Sequence, residues 1–245
     1  METTTYIALS SQGALRREMN AIAHNMANMN TTGFKGERMM FVDHVQRSRS
    51  GDFIADQRLS FVRDVASFRD TSAGPIEQTG NPLDVAIHGE GYFAVQTPGG
   101  ERYSRNGSFR LDNAGQLVTQ EGSPVLSNAG APFFFAPEDT NITITGDGTV
   151  STENGPLGQL RIVSFANDQD LQNIGDGLYS TNQQPIDKPD AQVAQGALEK
   201  SNIEAILEMT RMIEVNREYA RAQKLVDRED ERIRKMVREL PTLQG

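Results

Sequence analysis

Apolar residues near the start of the chain recur at Leu15, Met19, Ile22, Met26 and Met29, steps of four and three that lay one stripe along a helix. The polar run Asn28, Asn30, Thr31, Thr32 and Gly33 stops it. Gly33 can take the positive φ of a C-terminal cap, and Phe34 can fold back onto the last turn. At the other end Ser201-Asn202-Ile203-Glu204 reads as a capping box. It opens a seam at Met212, Val215, Tyr219, Ala222, Val226, Glu229, Ile233, Met236 and Leu240, bordered by a second stripe at Ile206, Met209, Ile213, Asn216 and Ala220. No Gly or Pro interrupts Ser201 to Leu240, and Pro241 ends the pattern. A helix of about 39 residues would be about 58 Å long. The N-terminal helix is too short to cover it, so part of the seam is expected to meet other chains, with the ends folding on assembly.

Between these ends the period changes to two. Residues 84–88, 92–95, 103–105, 109–111, 116–119, 142–145, 149–151, 160–165 and 178–180 read as short strands. They are separated by Gly89-Glu90-Gly91, Pro98-Gly99-Gly100, Asn106-Gly107, Asn113-Ala114-Gly115 and Asp147-Gly148, of which Asn-Gly is the strongest hairpin signal. The fold class expected is α+β: N- and C-terminal long helices in a coiled-coil-like layer, with a central antiparallel β barrel or sandwich. The expected organisation is an N-terminal helix (1–38), an irregular or extended connector (39–79), a β domain (80–182), a linker (183–196) and a long C-terminal helix (197–245). Alternation in 43–79 is too weak to choose between loop, extended chain and a small β element.

Charge follows the same partition. The chain of 245 residues carries a formal −9. Residues 1–38 are at +1, 39–198 at −10 and 199–245 at zero. An acidic chain of this kind is a poor non-specific ligand for nucleic acid. No run approaches a membrane span, so no stable membrane insertion is expected, and Tyr6-Ile7-Ala8-Leu9 is too short for a cleaved leader. The absence of Cys excludes disulfides and thiolate chemistry.

Candidate chemistry is thin. Gly89-Glu90-Gly91 has Ala94 where a third glycine would belong, with no helix after it. There is no P-loop and no nucleophile elbow. His24, His44 and His88 are scattered. Asp112-Asn113-Ala114-Gly115 lacks the alternating ligands of a calcium loop and reads as a turn. The acidic middle leaves open a glycosidase-like carboxylate pair, and so a secreted glycan-binding or glycan-hydrolysing β-domain protein as the alternative from a different class. No catalytic, cofactor-binding or metal residue is assigned. The candidate site is an assembly interface: Leu15, Met19, Ile22, Asn25, Met26, Asn28, Met29, Gly33 and Phe34 at one end, and Ile206, Met209, Met212, Ile213, Val215, Tyr219, Val226, Ile233 and Met236 at the other.

Several runs resemble a known family. Asn25 to Lys35 is similar to the NNxANxxTxGFK signature of flagellar axial proteins, with His24 standing where the first paired Asn is common. Gly80 to Phe93 resembles NPLDxAIxGxGFF, Arg102 to Phe109 resembles xYTRxGxF, Gln195 to Asn202 resembles QGxLExSN, and Met209 to Arg217 resembles EMxxMIxxxR. The resemblance spans nearly the whole chain. It implies a non-enzymatic subunit of the bacterial flagellar rod, without cofactors, with both terminal helices in an inner tube and the β part outside. Its implied partners are copies of itself, other rod proteins and the type III export apparatus. Its implied place is the periplasmic rod of the basal body, where it would transmit torque, reached without a cleaved signal. The opening Tyr6 to Ser10 and the short length look most like the proximal-rod members; distal-rod or hook members are the alternative.

Overall fold

The long uninterrupted stripes at the chain ends form the two helices of the structure, a computed structural model that describes residues 2–47, 58–139 and 141–239. Helix α1 spans Glu2–Ala27 and α2 spans Ala205–Glu239, 26 and 35 residues, so only α2 fully answers the expectation of long helices. Leu240 and Pro241, expected to end the C-terminal pattern, lie outside the described residues. Among the described residues seventeen strands lie between the helices. They are β1 Glu37–Arg47, β2 Arg58–Arg69, β3 Ile76–Gln78, β4 Val85–His88, β5 Tyr92–Thr97, β6 Gly100–Ser104, β7 Phe109–Leu111, β8 Leu117–Thr119 and β9 Thr143–Ile144. There follow β10 Thr149–Thr152, β11 Gly155–Gln159, β12 Ile162–Ser164, β13 Gln172–Gly175, β14 Leu178–Ser180, β15 Ile186–Asp187, β16 Gln192–Gln195 and β17 Ala197–Glu199.

The chain divides into two units. The first gathers α1, β1, β2 and α2; the second comprises 28–36 and 70–203. In the first unit β1 and β2 form an antiparallel hairpin with a register shift after Met40. Residues 39–79, expected as irregular or extended connector, therefore carry a long hairpin; of that stretch 48–57 lies outside the described residues. An isolated two-stranded ribbon is marginal in water, and here α1 packs along it. The helices run antiparallel: Asn25 reaches Glu208 at 3.5 Å, and Gln12 meets Gln223 at 2.7 Å.

The second unit is built around a six-stranded antiparallel sheet of order β13-β14-β6-β5-β12-β15. β5 alternates across it. Phe93 and Val95 enter a core with Val85, Ile87, Phe109, Leu117, Val125, Leu160 and Ile162. Tyr92 and Ala94 face a second cluster with Tyr103, Phe165, Leu171 and Tyr179. Smaller sheets (β11-β10-β9, β16-β4, β17-β3 and β7-β8) complete the unit. Among the described residues the sheets do not close into a barrel, because β13 and β15 end the largest one as edges. Residues 183–196, expected as a linker, hold β15 and β16, paired with β12 and β4.

Asn106-Gly107 is not a hairpin turn. β6 pairs with β5 and β14, while β7 pairs with β8, so the dipeptide carries the chain from one sheet to another. Gly107 is required by close approach: a Cβ there would lie 1.7 Å from the Val85 carbonyl oxygen, whose own N–H donates to Gly107 O at 3.0 Å. Asp147-Gly148 does join a hairpin, β9–β10, with Gly148 at φ 82°.

Candidate functional site

Three of the family-like runs meet in the second unit at one buried carboxylate. β17 brings Glu199 to the end of its pairing with β3. Its Oε1 accepts from Lys35 Nζ at 2.6 Å and from the Gly74 N–H at 2.8 Å, and its Oε2 accepts from Arg105 Nε at 2.5 Å. The side chains of Lys35, Arg105 and Glu199 are each at most 4% exposed. Arg105 also donates to the carbonyls of Ile87, Gly89 and Gly91, at 3.1, 2.5 and 2.5 Å, so it satisfies the turn between β4 and β5. Lys35 donates a second bond to Ser72 O at 2.7 Å. A buried cluster of this kind is tolerable because every charge has a partner and the remaining donors reach carbonyls.

The backbone holds the same three segments together. The Gly33 N–H donates to Glu199 O at 2.8 Å, and Lys200 N–H to Pro75 O at 2.9 Å. Asn202 accepts the Gly36 N–H at 2.9 Å and donates to Asp70 O at 2.9 Å. Gly33 has φ 68° and lies against Arg105, where a Cβ would come within 2.6 Å of backbone. α1 ends at Ala27, so Gly33 does not cap the helix but closes the turn that follows it. The capping box is corrected likewise. α2 begins at Ala205, and Ser201 Oγ accepts from Ile203 N–H at 3.3 Å, because 199–202 is committed to the Glu199 cluster.

Burial lowers the Lys35 pKa from the usual lysine range, more than its contacts with Glu199 raise it. Burial also acts to raise that of Glu199, but Arg105, Lys35 and the Gly74 N–H outweigh it and hold the carboxyl below its ordinary range. In the second cluster burial and the Glu101 carboxylate push the Tyr103 hydroxyl up to about 12.

The predicted interface residues divide between buried and exposed positions. Ile22, Asn25 and Val215 are buried within the first unit, and Gly33 and Phe34 within the second. Asn25 accepts the Glu37 N–H at 2.9 Å and donates to Glu37 O at 2.8 Å, in the manner of a neighbouring strand. Leu15, Met19, Met26, Asn28, Met212, Tyr219 and Val226 are half-buried. Met29, Ile233 and Met236 are exposed, and Ile206, Met209 and Ile213 more so, at 79%, 52% and 52%. The stripe running Glu208, Met212, Val215, Tyr219, Ala222 and Val226 is thus the inward one, and the bordering stripe faces out. Sequence reasoning missed Lys35, Arg105 and Glu199 as a group. Their only signal was that each lies in a family-like run.

Among the described residues no group of three or more His, Asp or Glu could hold a metal ion, and no helix is long and apolar enough to cross a membrane. Asp112 accepts the Ala114 and Gln116 N–H groups, each at 2.8 Å, as a turn residue does.

Three family models match: the one described as flagella basal body rod protein over 6–35, the flagellar hook protein FlgE/F/G D1 domain over 86–152, and the flagellar basal body rod FlgEFG protein C-terminal over 194–239. The flagellar basal-body rod protein FlgF of Caulobacter vibrioides is 38% identical over 98% of each chain. The chain belongs to the flagellar basal-body rod proteins. The FlgF of Mesorhizobium japonicum is 33% identical over 89% of this chain and 90% of its own, and the FlgG of Bacillus subtilis 32% over 97% and 98%. This rod protein is a structural subunit of the flagellar basal body, of a family whose role is non-enzymatic, and it is most like the FlgF members. The matches span helical ends and β unit alike, which leaves the glycan-active alternative without support.

Proposed function

We propose that this rod protein assembles with copies of itself and with other rod proteins through its terminal helices, and that the resulting tube carries torque across the periplasm. The observation that carries the reading is the outward stripe of α2, where Ile206, Leu207, Met209 and Ile213 are all exposed. Fully burying one such side chain contributes about 2 kcal/mol. Repeated head-to-tail, contacts of this kind propagate along an axis rather than close. Residues Ile22, Asn25 and Val215 then serve the subunit's own packing, while Ile206, Met209, Ile213, Ile233 and Met236 meet neighbours. Met212, Tyr219, Val226, Leu15, Met19 and Met26 lie between the two roles. We further propose that the chain leaves the cytoplasm through the type III export apparatus.

Ile213→Asp tests the interface. In a strain lacking the native gene, the variant is expected to abolish motility and to be missing from isolated basal bodies. The purified monomer should keep the native melting temperature within about 2 °C, as a surface change does. Normal rod incorporation of the variant would overturn the reading. The alternative position, in the distal rod or hook, is separated by which rod-gene deletion the chain complements.

A further inference from the structure

We infer that the β unit of this protein is closed by a clasp: it cannot complete its fold until the late segment 192–203 arrives and brings the Glu199 carboxylate between Lys35 and Arg105. The clasp is independent of the assembly reading above, since every contact it uses lies within the second unit.

Glu199 follows Lys35 by 164 residues and Arg105 by 94. Before it is in place, the hydrogen bonds left to the two cations run to carbonyl oxygens, with the Asp70 carboxylate acting on Lys35 electrostatically, and both cations are buried when the unit is closed. A closed unit without Glu199 would hold two positive charges deprived of the carboxylate they share, in a medium that does not solvate them. The alternative is to leave both cations in water, which holds open the β4–β5 turn that Arg105 caps. The same late segment supplies β16, the partner of β4, and β17, the partner of β3. Gly196 O accepts from Thr79 and Gly80, and Val193 belongs to the main core. Charge, pairing and core are therefore completed together by one stretch of chain. In any chain that emerges N-terminus first, most of the β unit is exposed as an open form until that stretch has followed.

The test uses the full, unaltered chain. It is unfolded in urea, diluted to refold, and pulse-labelled by hydrogen exchange. The amides of Ala94, Gln96 and Leu126 donate within the central sheet region, to Arg161, Pro124 and Ala94 carbonyls. They are expected to gain protection in the same kinetic phase as the amides of Gly33, Gly196 and Lys200, which donate within the clasp. Earlier protection of Ala94, Gln96 and Leu126 while Gly33, Gly196 and Lys200 still exchange would overturn the clasp. In the second arm, full-length Glu199→Gln is expected to speed native-state exchange at Ala94 and Leu126 by about 100-fold or more. Unchanged exchange there would overturn it as well.

Discussion

Glu199 is one carboxylate serving two cations and the Gly74 N–H, and its charge is what all three have in common. Glu199→Gln keeps the shape but strands Lys35 and Arg105, so it is expected to destabilise the β unit by about 3–5 kcal/mol in urea titrations. Lys200→Gln, which removes an exposed pair with Glu77, should cost less than about 1 kcal/mol. The same residue sets an acid dependence. Its folded pKa is depressed, so its contribution is fully present above the ordinary glutamate value of about 4.3 and is lost as pH falls through the lower folded value. The urea midpoint followed from pH 7 down to pH 3 should fall below about 4.3, and Glu199→Gln should flatten that part of the curve. Lys35 acts with the opposite chemistry. Its folded pKa is depressed as well, so the unfolded chain binds its proton more tightly, and stability from this group rises as pH climbs toward the usual lysine range. The sequence displays Lys35, Arg105 and Glu199 as letters in three separate runs, but residue type carries no information about which distant charges will share a cavity.

The elements differ in how plainly the sequence announces them. β5, with Tyr92, Phe93, Ala94 and Val95 splitting between two clusters, is legible because alternation with both faces buried leaves a dense apolar run. β11 is Gly-Pro-Leu-Gly-Gln, whose two glycines and one proline leave no apolar alternation to read, and its pairing with β10 comes from its neighbour. β16 and β17 are short and flank Gly196, whose φ of 72° reads locally as a turn. The helices were visible as stripes, but not which stripe turns inward, because that depends on the partner α1 and the hairpin provide. α2 also outruns α1. Counting back from Gln12 and forward from Gln223 places Glu2 level with about residue 233, so Ile233, Met236 and Val237 sit at or past the end of the pairing. In the isolated monomer, amides near Val215 should therefore exchange orders of magnitude more slowly than those near Met236, and the difference should shrink in the assembled rod. Equal protection at both positions in the monomer would count against partner-dependent ordering of the α2 end.

At the scale of the whole molecule, charge and architecture part company with chain order. The helical unit takes its pieces from three places in the sequence, including the β1–β2 hairpin, which nothing in the local pattern assigns to it. The segment 39–198 carries −10, whereas 199–245 is neutral. Copies brought together through near-neutral helices must also bring acidic β units into proximity. Their mutual repulsion is screened over a Debye length of about 10 Å at 0.1 M salt. Polymerisation of the purified protein, followed by light scattering, should accelerate several-fold between about 20 and 150 mM NaCl. A rate that falls over that range would mean attraction between opposite charges governs the encounter instead.

One cluster gives the molecule a built-in optical reporter. With no tryptophan, its near-ultraviolet signal comes chiefly from five tyrosines. Tyr92, Tyr103 and Tyr179 share a single face of the six-stranded sheet, Tyr92 meeting Tyr179 at 5.8 Å between ring centres and Tyr103 meeting Phe165 at 4.7 Å. The other two, Tyr6 and Tyr219, lie on α1 and α2, so near-ultraviolet circular dichroism weighs chiefly the β unit, while far-ultraviolet ellipticity at 222 nm, roughly the helical band, weighs chiefly α1 and α2, and two wavelengths report differently on the two units of an unlabelled chain.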